Sequence, residues 1–220
     1  MKVPFTIEQF FDVFEAYNTA VWPAQIAAYV LGVIVTFATI RSNKTSSRII
    51  SATLGLFWVW MGIIYHIMHF SSINPIARLF GVLFVLQGIL LVAVGCISDR
   101  LKFQFTIKPI PIIGALFIAY SMIVYPLIGT LVGHSYPRAP MFGVAPCPTT
   151  IFTLGLLLIA SIRIPIYIVI IPLLWSVIAT TAAVKLHVPQ DFGLGVSAII
   201  GIILILINNR NKKDKSISTD

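Results

Sequence analysis

Apolar residues gather along this chain into seven runs, approximately 22–40, 49–70, 76–97, 110–132, 147–162, 165–184 and 192–208. A hydrocarbon core takes about 20 helical residues, so the runs predict transmembrane helices, with the fifth and seventh short. Residues 6–18 follow a different pattern. Ile7, Phe10, Phe11 and Phe14 share one helical face, with Glu8, Asp12 and Glu15 opposite. Thr6 and Gln9 form a capping box, and the segment is too polar to span, which predicts a helix lying in the interface. Tyr17 and Trp22 are placed to anchor it at headgroup level. The longest break, residues 133–150 (GHSYPRAPMFGVAPCPTT), carries Pro137, Pro140, Pro146 and Pro148 and predicts irregular backbone of restricted shape. Arg163-Ile164-Pro165 predicts a tight hairpin between the fifth and sixth runs. The expected fold is all-α: one membrane domain over residues 1–220, a polytopic bundle of seven transmembrane helices plus an N-terminal interfacial amphipathic helix, ending in a cytoplasmic tail at 209–220.

Composition agrees. Hydrophobic residues make up 58% of the chain and charged residues 10%, too little polar surface to cover a globule in water. The lipid bilayer is therefore the first partner. The formal charge of +8 does not point to nucleic acid, because its distribution is topogenic. With the N-terminus outside, Arg41, Lys44, Arg48, Arg100, Lys102, Lys108, Arg163, Arg210, Lys212, Lys213 and Lys215 fall inside. Only Lys2, Arg78, Arg138 and Lys185 fall outside, eleven against four, which predicts N-out, C-in. Gly81, Gly88 and Gly95, spaced seven apart, and Gly193, Ser197 and Gly201 read as helix-packing stripes.

Chemistry concentrates on the outer side. His66, His69, His134 and His187 all end there, as does Cys147, beneath Glu15 and Asn18 of the amphipathic helix. His66 and His69, three residues apart, can reach one point. Imidazole, thiolate and carboxylate suit zinc or another divalent metal, with His66, His134 and Cys147 as the candidate ligands. The expected outer pocket comprises Glu15, Asn18, Tyr65, His66, His69, His134, Tyr136 and Cys147, with Gln87 and Ser121 on a polar path beneath. Its three candidate ligands are expected to line one cavity roofed by the 133–150 loop. No Asp, Glu, Lys or Arg lies in the middle of any run, which argues against energised transport. A disulfide between Cys147 and Cys96 is excluded by the roughly 30 Å of bilayer between them.

The stretches PFTIEQFFDVFEAYNTAVWPAQ, YHIMHFSSINPIARLFG and GHSYPRAPMFGVAPCPTTIFTLGLLL resemble an uncharacterised bacterial family of polytopic membrane proteins, a domain of unknown function. That resemblance implies that these three outer segments belong together, and the expected location is the bacterial inner membrane. Glu15-Ala-Tyr-Asn18 and Tyr65-His66 are similar to the alkaline ceramidase group, whose paired histidines in the last span this chain lacks. Pro75 before Gly81-Val82 matches Pro189 before Gly195-Val196, a spacing similar to small sugar facilitators of three-plus-one-plus-three helices. The leading reading is passive handling of a small solute or metal ion through an outer pocket. The alternatives are a metal-dependent membrane hydrolase using the same histidines and a non-catalytic sensory or assembly protein. Orientation has a direct check: Lys44→Cys in intact cells should resist a membrane-impermeant maleimide until the membrane is broken. Labelling from outside contradicts it.

Overall fold

The computed structural model describes residues 4–217, with side chains through residue 212. Among the described residues the chain forms eight helices and no sheet. They are α1 (Ile7–Ala20), α2 (Ala24–Ala38), α3 (Lys44–Ser72), α4 (Ala77–Ile97), α5 (Pro109–Leu131), α6 (Pro146–Leu158), α7 (Tyr167–Leu186) and α8 (Phe192–Ile217). Five are long and apolar enough to cross a membrane: α3, α4, α5, α7 and α8 with the turn before it. The number rises to six if α1 and α2, bent by 84°, count as one span. The seventh run is not short. It continues as a helix of 26 residues and takes in most of the expected tail. Residues 218–220 of that tail, and Lys2 of the charge count, lie outside the described residues.

Local chemistry sets these boundaries. Thr6 and Gln9 make the expected reciprocal cap on α1, which buries Phe10, Phe11 and Phe14. Tyr17 is not a headgroup anchor, because the bend folds α1 back onto the bundle and buries it completely. Wider π turns interrupt α3 at Met61–His69, α4 at Ala93–Ile97 and α5 at Tyr120–Val124. Such turns shift the side-chain register and are frequent where helices carry function.

The bundle is centred on α6. Its 13 residues, about 20 Å of helix, are all buried, packed mainly on α5 and α8. Close approach there depends on Gly114 and Gly155: a Cβ on either would come within 2.5 or 2.7 Å of the other's carbonyl oxygen. Helices α3 and α4 cross the same way through Gly55 against Gly88 and Gly62 against Gly81, so the α4 stripe is a packing face.

At the end of the bundle opposite α1, irregular chain is tied down by hydrogen bonds. The link from α6 to α7 is not a tight turn at Arg163–Pro165. Its extended first part pairs with the loop after α4, Gln104 N to Ile159 O and Ser161 N to Lys102 O. Asn209 clasps both backbone groups of Ile164 at 2.9 Å, and the Lys212 ammonium donates to the carbonyls of Ala160 and Ile162. Asp99 is bridged to Arg48 at 2.9 Å and Lys44 at 2.6 Å, and these two cations hold its carboxyl below the usual carboxylate range. Gly155→Ala should lower stability by about 1–3 kcal/mol, the usual cost of overpacking. A melting curve of purified protein unchanged from wild type would show that α5 and α6 do not meet this closely.

Candidate functional site

The α1 end of the bundle is roofed by the loop before α6. Carbonyls buried in irregular chain need partners, and α1 supplies them. Asn18 Nδ2 donates to Pro137 O at 2.6 Å and Ala139 O at 2.8 Å, and the Tyr17 hydroxyl donates to Val144 O at 2.8 Å. Trp60 Nε1 in turn donates to the Tyr17 oxygen. On the surface, Arg138 bridges Asp12 and Glu15. At the base of the loop Gly143 takes a positive φ of 77°, pressed so close to Ala28 that a side chain has no room. Thr149 closes the turn by accepting from Gly143 N and donating to Ala145 O.

Beneath this roof is a cavity of about 100 Å³ bordered by Tyr125, Gly129, Thr130, His134, Tyr136, Met141 and Gln190. His134 stacks on Phe11, with ring centres 4.2 Å apart, and burial holds its imidazole below the ordinary histidine range. Its Nδ1 makes no hydrogen bond, although the Gln190 amide lies beside it. Gln190 is fully buried, and its amide, set against His134, makes no close and well-aligned hydrogen bond to the protein. A larger cavity, about 430 Å³, opens at the opposite end among Asn43, Lys44, Ser47, Asp99 and Ser161. Those side chains already bond one another or the backbone. Unsatisfied hydrogen-bonding capacity is what separates the smaller cavity from the larger.

The expected pocket residues divide. His134 and Tyr136 border the cavity, while Asn18 and Glu15 hold its roof. His66 lies deeper, fully buried in a cage of Tyr65, Phe70, Phe80, Phe84 and Trp175 rings, with both nitrogens unpartnered. His69 turns elsewhere, to the Ile64 carbonyl at 2.8 Å and the edge of Tyr17. The π turn carrying both residues removes the α-helical spacing that would aim them at one point. Cys147 is buried beside Trp175 and Asp191 rather than at the cavity wall. Gln87 donates to Ile168 O and Ser121 to Ile118 O, both inside the bundle. Among the described residues no three His, Cys, Asp or Glu side chains are grouped so as to hold a metal ion.

One residue at this end falls outside the expected set. Asp191 closes the turn before α8 and is 4% exposed. The Tyr125 hydroxyl donates to its Oδ1, and Cys147 lies alongside. The neighbouring Gln190 carbonyl accepts from Tyr120 at 2.8 Å.

A family described as "Family of unknown function (DUF6064)" matches residues 7–216. The chain belongs to this family. No curated protein and no solved structure matches it. Within this DUF6064 chain the matched stretch takes in the roof, the cavity and Asp191. Asp191 was readable in principle. It is a lone acid at the head of an apolar run, followed by Gly193, whose missing side chain admits the Tyr120 ring. Only the fold reveals that α5 and α6 enclose it. Asn18→Ala should leave two carbonyls unpaired and cost about 1–3 kcal/mol. It should also open residues 133–145 to limited proteolysis, whereas unchanged melting and digestion would contradict Asn18's role as the roof's tie.

Proposed function

We propose that this DUF6064 protein is a bacterial inner-membrane protein that crosses the bilayer seven times, N-terminus outside and C-terminus inside. Its outer face binds a small, neutral, polar solute beneath the α1 roof. Orientation is supported by the grouping of Lys44, Arg48, Lys102 and Lys212 with the chain they tie at the end opposite α1. The short α2 and α6 cross with the help of their flanking chain, and α1 lies along the outer interface, as its 84° bend from α2 allows.

The observation that carries the solute reading is Gln190. A buried amide without a well-aligned hydrogen bond costs free energy that a ligand reaching it recovers. The cavity is bordered by amide, imidazole, phenol and hydroxyl groups and by no permanently charged side chain. A space of about 100 Å³ holds roughly three water-sized groups. The matching ligand is a small amide-like molecule that both donates and accepts.

Equilibrium binding of radiolabelled acetamide, formamide and urea to nanodisc-embedded protein tests this. Saturable binding of at least one should appear in the wild type and fall at least about tenfold in Gln190→Leu, corresponding to about 1.4 kcal/mol. Circular dichroism should show the variant still folded. Absence of saturable binding by all three, or full binding by the variant, sinks the reading.

A further inference from the structure

The cavity's inner wall leads to a second group that the solute reading leaves unused. Tyr125 borders the cavity, and its hydroxyl donates to Asp191 Oδ1. Asp191 is the one acid among the described residues that is buried; Asp12, Glu15 and Asp99 are ion-paired nearer the surface, and Glu8 is exposed. The titratable groups facing it are Tyr120 and Tyr125 from α5, Cys147 from α6 and Tyr65 from α3. None of these is a cation, and no ion pair to Asp191 occurs among the described residues. An acid set in a bundle of membrane helices, partnered by a hydroxyl instead of a positive charge, is the arrangement of a proton relay.

We propose that Asp191 is a proton-binding site reached from the outer face through Tyr125. The step is a relay. The Tyr125 O–H bond breaks as its proton passes to Asp191 Oδ1, while the Tyr125 oxygen takes a proton from a hydronium ion arriving through the cavity, which leaves as water. Tyr125 ends neutral, Asp191 ends as the uncharged acid, and one proton has moved inward. The sequence expectation of purely passive handling changes with this residue: no charge lies mid-run, but a protonatable one sits at the head of the last.

Infrared difference spectroscopy of the full chain in nanodiscs, without added solute, tests the site directly. Lowering the pH should produce a protonated-carboxyl stretch in the wild type, sensitive to deuterium oxide and missing in Asp191→Asn. The other carboxyls contribute equally to both spectra and cancel on subtraction. Tyr125→Phe should keep the band but move its frequency, because its hydrogen-bond donor is gone. Should Asp191→Asn fail to fold, Asp191→Glu replaces it and must displace the same band. Identical spectra for wild type and the Asp191 variant overturn the proposal, and an unmoved band in Tyr125→Phe overturns the route. Because no solute is present, failure here leaves the acetamide, formamide and urea result standing, and the reverse also holds.

Discussion

The architecture of the α1 end hangs on how the irregular chain before α6 satisfies its backbone. A proline-rich segment cannot pair its own carbonyls in a helix, so those it buries need donors from elsewhere. Asn18 and Tyr17 answer that requirement by donating to the carbonyls of Pro137, Ala139 and Val144. The interaction fixes three things together. It holds α1 across the end of the bundle, bends the loop back so that Gly143 meets Ala28, and starts α6 at Pro146, below the roof. The cavity is the space left between that roof and the ends of α5 and α8.

A second constraint works from inside. Helix α6 has no lipid-facing residue, so everything packed on it must come close. The glycine contacts of α5 with α6 allow this, as do those of α3 with α4. Packing of this kind leaves little freedom to polar side chains, and most of them turn to a backbone carbonyl nearby, as Gln87, Ser121 and Ser176 do. Against that background the unpaired amide of Gln190 and the hydroxyl-paired Asp191 stand out, adjacent in sequence and both served by tyrosines of α5.

Much of the fold was legible because lipid imposes a coarse code. Seven apolar runs became helices, the Thr6–Gln9 cap formed, and the α4 glycines faced a neighbouring helix. Length was less legible. Residues 159–162 continue the fifth apolar run yet leave the helix to pair with the loop after α4, and the charged tail extends α8 instead of fraying. The site was legible by side but not by partner. His66, His69, His134 and Cys147 were assigned to one pocket, but a π turn separates the first two and aromatic rings enclose His66. Depth along a helix can be counted from sequence, whereas rotation about its axis depends on winding that sequence spacing does not announce. Asp191, in the turn just before the last run, carried no signal in the spacing that would have picked it out.

The most direct measurement is an experimental density map of the α1 end at a resolution that shows ordered small molecules. The arrangement predicts density in the cavity within hydrogen-bond distance of the Gln190 amide, under a roof tied to Asn18, with the Tyr125 hydroxyl on Asp191. A map in which Gln190 bonds the protein itself, the cavity is closed and Asp191 faces bulk solvent would contradict it.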